Sequence, residues 1–263
     1  MALFHVNFDS KVLDLAMSAD VIIPQRLGQA GISDYRYPTL YLLHGYSDDH
    51  TAWQRQTSIE RYAIRLGLAV VMPNAHTSGY ANMAHGNNYY TFISEEIPAV
   101  MRGMFPLSDK REDNFIAGLS MGGAGAMKIG LAHPEQYAAI GCLSAGLGNF
   151  HSQENPTPQQ IKQRFMLYGD RDLTGTEEDA VHSAKVILQE GKPVPRIYHA
   201  CGTEDTLALP GARKTRDFFQ SFPGNPFGYV YEENPGIHNW DFWDEHIQHF
   251  LRFTGLPQVP NMR

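Results

Sequence analysis

Ser120 lies between glycines in Gly118-Leu119-Ser120-Met121-Gly122, and histidines and carboxylates follow it later in the chain. A serine hydroxyl is a poor nucleophile at neutral pH. It attacks a carbonyl only when a base within hydrogen-bond reach takes its proton, and the base works only when an acid orients it. The apolar run Phe115-Ile116-Ala117 precedes the motif, and small residues and helix formers follow as far as Pro134. That pattern reads as strand, sharp turn and helix, the context in which G-x-S-x-G is a nucleophile elbow. The turn strains the serine backbone, so glycines two positions either side are needed where a Cβ would collide with neighbouring chain.

An elbow serine requires its acid and its base downstream, in that order. His238 lies in Asn234-Pro235-Gly236-Ile237-His238-Asn239-Trp240, between the last strand-like run and the last helical one. His246 and His249 fall three residues apart inside that helix and read as surface or helix-face residues. Two positions compete for the acid. Asp205 follows the apolar run Arg196–Cys201, one strand–helix unit before the His238 loop, while Asp170 and Asp172 follow the weaker run Arg164–Tyr168. The acid belongs at the carboxyl end of a strand beside the histidine loop, which favours Asp205; its neighbour Glu204 then points elsewhere. The oxyanion of a tetrahedral intermediate needs backbone N–H donors, each worth about 3–4 kcal/mol. The residue after the nucleophile, Met121, supplies one. The loop His44-Gly45-Tyr46-Ser47 supplies the other, with Tyr46 as donor and Gly45 allowing close approach.

The elements that must position these groups alternate between strand and helix patterns. Residues 3–9 and Val12–Ile23 read as an antiparallel hairpin at a sheet edge, with a loop over 25–38 after it. Thr39–Leu43 and Leu68–Met72 are nearly continuous apolar runs, as in parallel strands buried on both faces. Helical spacing follows over Ser58–Leu66 and over Tyr90–Phe105, the latter either bent by Pro98 or beginning nearer Ser94, where proline is better tolerated. Tyr137–Ser144 reads as a strand, 145–163 as an excursion, and Ala180–Gln189 as a helix. Arg213–Phe222 (helix), Gly228–Tyr231 (strand) and Trp240–Thr254 (amphipathic helix) complete the chain. The expectation is a mostly parallel central sheet with helices on both faces. With 263 residues and no linker-like stretch, a single domain over 1–263 is expected, with a substrate-pocket insertion around 145–195.

A net charge of -7 gives no reason to expect nucleic acid or an anionic membrane as partner. The N-terminus lacks a basic region followed by a long apolar stretch, and no apolar run approaches membrane-spanning length. Cys142 and Cys201, each inside an apolar run, read as reduced core thiols of a cytoplasmic protein. The histidines His44, His76 and His85 belong to separate loops without metal-ligand spacing, and Asp48, Asp49 and His50 read as a solvated loop, so no metal or other cofactor is expected. His44, Gly45, Trp53, Tyr89 and Trp240 are the candidates for lining a substrate pocket, with Tyr80 and Tyr90 as further aromatics nearby.

Together, Tyr41-Leu42-Leu43-His44-Gly45, Phe115 to Gly123, Cys201-Gly202-Thr203-Glu204-Asp205 and Gly236-Ile237-His238-Asn239-Trp240 resemble the esterase D-type carboxylesterases. The resemblance covers nearly the whole chain and is strongest to small bacterial tributyrin and acetyl esterases. It implies an α/β-hydrolase fold and hydrolysis of short acyl esters, with Ser120, Asp205 and His238 as triad and the Tyr46 and Met121 amides as oxyanion hole. S-formylglutathione hydrolases, cinnamoyl or feruloyl esterases and mycolyltransferases are relatives, so thioester, feruloyl and acyl-transfer chemistry stand as alternatives. The loop Gly45–Asp49 lacks the cysteine-containing segment associated with S-formylglutathione hydrolases. A non-catalytic binding protein would show a damaged triad, and none is visible. Relatives of this kind often associate, which leaves a homo-oligomer open.

Overall fold

The computed structural model describes residues 1–25, 35–148 and 157–259. Most of the 25–38 loop and part of the 145–163 excursion therefore lie outside the described residues. The apolar runs form the centre of one eight-stranded sheet. The N-terminal hairpin, β1 (Ala2–Ser10) and β2 (Leu15–Ile23), is followed by β3 (Thr39–Leu43), β4 (Ala69–Pro73), β5 (Asn114–Leu119), β6 (Ala139–Leu143), β7 (Arg196–Gly202) and β8 (Val230–Asn234). Their spatial order is β1-β2-β4-β3-β5-β6-β7-β8. Pairing is antiparallel from β1 to β4 and parallel from there on. Every residue of β3, β4, β5 and β6 is buried, as required of parallel strands covered on both faces. The hairpin runs in register from Ala2 opposite Ile23 to Ser10 opposite Leu15. Its turn bends through Asp14 at φ 54° and is held by the Glu96 carboxylate, which accepts from the Ser10 hydroxyl and the Lys11 N–H.

Alternation along each strand divides the core. Leu40 and Leu42 of β3 face one layer, which contains Trp53 of α1 (Ala52–Gln56), Ile59 of α2 (Ile59–Leu66) and Phe250 of α9 (Trp240–Phe253). Tyr41 and Leu43 face the other layer. That layer holds Met101 of α4 (Ile97–Met104), Met127 of α5 (Met121–Ala132), Ile187 of α7 (Ala180–Gln189) and Phe219 of α8 (Leu209–Gln220). Helices thus cover both faces, as the strand–helix alternation requires.

Three local expectations change, and one unexpected element is added: helix α1, five residues long and shorter than any periodicity window. The Tyr90–Phe105 helix starts at Tyr89 as α3 (Tyr89–Thr91) and continues through a π turn, Phe92–Glu96, into α4. Pro98 is the second residue of α4, directly after the π turn. Helix α8 begins four residues before the expected Arg213, with Pro210 in its first turn. Arg164–Tyr168, read as a strand-like run, belongs to α6 (Pro158–Tyr168). Thr157 and Gln160 form a reciprocal capping box there, and Pro158 follows the cap, so local start signals outweigh the weak apolar run. No described helix is long and apolar enough to cross a membrane.

Candidate active site

At the end of β5 the chain reverses into α5 at Ser120, whose backbone adopts φ 51°, ψ −120°. That conformation is costly for a residue with a Cβ, and it persists because neighbouring chain over-determines it. The Ser120 N–H donates to the Leu143 carbonyl at 2.8 Å. A Cβ on Gly118 would lie 2.5 Å from the Gly122 backbone, and one on Gly122 would lie 2.4 Å from the Leu43 carbonyl oxygen. Both glycines are therefore steric requirements of the elbow, as the spacing implies.

The Ser120 hydroxyl donates to His238 Nε2 at 2.9 Å, and His238 Nδ1 donates to Asp205 Oδ2 at 2.7 Å. Asp205 follows β7 and His238 follows β8, so three parallel strands bring the groups together at their carboxyl ends. The Asp205 side chain is fully buried, whereas that of His238 is 23% exposed. Burial pushes the Asp205 carboxyl up; the bonds from His238 and from the Ala208 N–H, with the charge of His238, outweigh it and hold the acid below its ordinary value. The Ala208 N–H reaches Oδ1 at 2.9 Å, leaving Oδ2 for the imidazole. The two loops are joined directly. Thr203 N–H donates to Asn234 O, Glu204 N–H to Gly236 O, and Gly236 N–H to the Glu204 carboxylate at 2.6 Å. Glu204 is not part of the Ser120–His238–Asp205 line; its carboxylate holds the histidine loop through the Gly236 N–H. Trp243 packs edge-on against His238 at 5.0 Å, and Trp240 and Trp53 extend this edge-to-face series.

The loop after β3 faces the elbow. Met121 is the first residue of α5, so its N–H has no intrahelical acceptor. The Tyr46 N–H has no acceptor among the described residues, and the Tyr46 side chain is 39% exposed. His44 is buried with both ring nitrogens engaged: Nδ1 donates to Gly45 O at 2.7 Å and Nε2 accepts from Ala75 N–H at 2.9 Å. Burial lowers its pKa, in keeping with a neutral ring that spans the two loops. Trp53 is buried too, its indole N–H donating to Leu43 O, so it supports the loop from beneath. Gly45 leaves no room for a Cβ beside Leu119 and Asp48. Tyr89 is buried with its hydroxyl 2.7 Å from His76 Nδ1, and Trp240 is half-buried at the start of α9. Three exposed apolar residues stand close in sequence to the groups above: Tyr46 in the loop after β3, Leu207 two residues after Asp205, and Ile237 next to His238.

The competing acids are not brought to the site. Asp172 is exposed and accepts from Thr174 N–H in its own turn, and Asp170 is exposed as well. Asp49 is occupied by the Thr51 N–H and hydroxyl at the start of α1. His246 corrects its reading as a surface residue: it is fully buried, stacked on Phe242 at 4.0 Å. Its place in the apolar stripe Phe242, Trp243, Ile247, Phe250 was the available signal. Tyr80 and Lys128 gave no comparable signal. Tyr80, fully buried, donates its hydroxyl to His44 O at 3.0 Å. Lys128 donates to Gly79 O and Tyr80 O and pairs with Glu178 at 3.3 Å. Each bond crosses from one distant loop or helix to another, which no local pattern encodes.

The family model described as "Putative esterase" matches residues 10–254. An acetyl esterase of Caldicellulosiruptor saccharolyticus is 32% identical over 260 residues, covering 94% of this chain and 96% of the relative. The substrate-bound structure of FphF, a fluorophosphonate-binding serine hydrolase of Staphylococcus aureus, has a TM-score of 0.83 at 34% identity, covering 96% of this chain and 98% of that one. An S-formylglutathione hydrolase (FrmB) from Staphylococcus aureus has a TM-score of 0.79 at 34% identity, with the same coverage.

Proposed function

We propose, for a chain that belongs to the esterase family and has the α/β-hydrolase fold, that Ser120 is the nucleophile of a short-chain acyl esterase. The protein is a carboxylic ester hydrolase of the serine class. The observation that carries the assignment is the continuous line Ser120 Oγ, His238 Nε2, His238 Nδ1, Asp205 Oδ2, with contacts of 2.9 and 2.7 Å. In our reading His238 takes the hydroxyl proton as Ser120 attacks the ester carbonyl. Asp205 holds the imidazole in the Nδ1–H tautomer and stabilises the imidazolium. The Met121 and Tyr46 amides receive the oxyanion. The imidazolium then protonates the leaving alkoxide, and water, deprotonated by the same base, releases the acid from Ser120.

Short acyl groups are favoured by the acetyl esterase relative and by the modest apolar surface of Tyr46, Leu207 and Ile237 at the mouth. We assign the substrate wall to the 145–195 region, in which α6 is tied to the 79–86 loop through Ala84 and His85 N–H donors. A cytoplasmic site of action belongs to the same proposal and is supported by Cys142 and Cys201, both free and buried. Turnover of p-nitrophenyl acetate and butyrate should fall by a factor on the order of 10⁴ or more in Ser120→Ala. Fluorophosphonate labelling should vanish with it. Equal rates in the two proteins would end the assignment. The likeness to an S-formylglutathione hydrolase supports a second substrate class, acyl thioesters, through the same acyl-enzyme. Comparing kcat/KM for S-formylglutathione and an acetyl oxygen ester decides between them.

A further inference from the structure

Glu232 of β8 and His246 and His249 of α9 form a cluster apart from the triad. One ligand atom from each lies within 4.8 Å of the others. We propose that Glu232, His246 and His249 bind a first-row divalent cation of the zinc type, which ties β8 to α9 on either side of the His238 loop.

The donor set selects the cation. Two imidazoles and one carboxylate suit zinc and its transition-metal neighbours, whereas calcium and magnesium demand oxygen ligands. His246 and His249 are three residues apart, so they share one face of α9 opposite the β8 edge strand. Glu232 Oε2 lies 2.7 Å from His249 Nδ1 and 3.5 Å from His246 Nδ1. Ligand atoms around a tetrahedral zinc stand about 3.3 Å apart. Of the three pairs, His246–Glu232 is thus near that spacing, His249–Glu232 must open by about 0.6 Å, and the two imidazole nitrogens, within 4.8 Å of each other, must close by up to about 1.5 Å. His249 can make both adjustments, because its side chain is 27% exposed while that of His246 is fully buried. Entry is from the Glu232 and His249 side, leaving a fourth position for water.

Metal ligation requires a neutral imidazole and an ionised carboxylate. Full burial disfavours a charged imidazole at His246, and Glu232 is held as an acceptor by the Tyr198 hydroxyl. Binding moves the Nδ1 protons: each imidazole presents its Nδ1 lone pair to the cation and keeps its proton on Nε2. The buried Nε2 of His246 then meets Asn234, whose Nδ2 lies 3.5 Å away, and a flip of that amide presents its oxygen as the acceptor such a ligand needs. The Tyr198 hydroxyl lies 2.9 Å from Glu232 Oε2 and 2.8 Å from His246 Nδ1; on binding it gives up the imidazole contact and donates to the ligating carboxylate alone.

The mechanical consequence follows from position. β8 ends at Asn234 and α9 begins at Trp240, so the cation bridges both flanks of the loop that carries His238. Binding to the native state alone raises the melting temperature, by about 5 °C at a hundredfold excess of cation over Kd.

The test is calorimetric titration of chelator-treated protein with Zn²⁺, repeated with Co²⁺ while following its visible absorption. The expected result is one equivalent bound by the wild type, retained in His238→Ala, and lost in both His249→Ala and Glu232→Gln. His249 is partly exposed, so its variant should keep its fold, and its circular dichroism and esterase rate in chelator verify that independently. The melting temperature should rise with Zn²⁺ in the wild type and stay fixed in His249→Ala. A wild type that binds no equivalent, or His249→Ala and Glu232→Gln proteins that bind as the wild type does, would overturn the proposal. Loss of the equivalent in His238→Ala alone would place the cation at the triad and overturn it equally.

Discussion

Asp205→Asn should abolish most catalysis while leaving the fold in place, and the reason is visible in the hydrogen bonds of one carboxylate. Asp205 Oδ1 accepts the Ala208 N–H at 2.9 Å, and Oδ2 accepts His238 Nδ1–H at 2.7 Å. An asparagine must keep its carbonyl oxygen toward Ala208, because the amide nitrogen there would confront another N–H donor. Its NH₂ group then faces His238. The imidazole can meet that donor only with a bare Nδ1, which moves its proton to Nε2. In that tautomer Nε2 cannot accept the Ser120 proton, although the heavy-atom geometry is unchanged. Inverting the tautomer in this way lowers kcat by a factor on the order of 10⁴, or about 5 kcal/mol of transition-state stabilisation. The assay is p-nitrophenyl acetate hydrolysis at neutral pH, with circular dichroism and melting temperature to verify the fold. Asp172→Asn, in an exposed turn, serves as the matched control and should retain wild-type turnover. A folded Asp205→Asn enzyme within tenfold of wild type, or an Asp172→Asn enzyme equally impaired, would refute the reasoning.

Glycine spacing gives a contrasting pair. Gly122→Ala places a Cβ 2.4 Å from the Leu43 carbonyl oxygen, a backbone atom that cannot step aside, so the loss of stability should exceed about 3 kcal/mol in urea melts. Gly103→Ala in α4 meets nothing within 4 Å and should instead stabilise by about 0.5–1 kcal/mol. Tyr80→Phe removes the hydroxyl that donates to His44 O, which should cost about 1 kcal/mol of stability and lower kcat more than it changes KM. A proportional rise in KM alone would contradict the loop-positioning role. Acid stability depends on His199, fully buried, its Nε2 2.8 Å from Ala145 O and its Nδ1 2.7 Å from the Tyr229 hydroxyl. Burial takes its pKa down to about 4, so the unfolded chain binds the extra proton first as pH falls. Stability should therefore decline from about pH 6.5 to pH 4, by about 3 kcal/mol from this group, and level off below. Urea midpoints across that range should show a smaller decline in His199→Gln; an identical slope would exclude His199 as the source.

The buried strands were legible because each is a run of about five apolar residues bounded by turn residues, and strand–helix alternation leaves few ways to arrange them. Helix α6 was harder to read for a physical reason. Its exposed face carries Gln159, Lys162 and Arg164 beside exposed Ile161 and Phe165, so it buries little and shows no clean stripe. Its start was nevertheless written in Thr157-Pro158-Gln159-Gln160, a capping box with proline after the cap. Tyr80 and Lys128 are a different case. Their partners, His44 and Glu178, lie 36 and 50 residues away, and nothing in local spacing announces such bonds.

The reaction was more legible than the substrate, and the sheet explains the difference. In a parallel sheet every strand delivers its carboxyl end to the same edge. Residues placed just after β5, β7 and β8 therefore converge whatever the intervening helices contain. Ser120 directly follows its strand, Asp205 comes three residues after Gly202, and His238 comes four residues after Asn234, close enough for Glu204 and Thr203 to stitch its loop to the acid's. Topology thus turns three separate sequence positions into one site. Acyl specificity has no such constraint. In our proposed reading it depends on how Tyr46, Leu207 and Ile237, three exposed side chains from three different loops, stand relative to the region beyond β6, and each can change without disturbing a strand. A change in substrate preference should therefore follow from substitutions at these three positions, with the Ser120–His238 distance and the melting temperature of the protein left as they are.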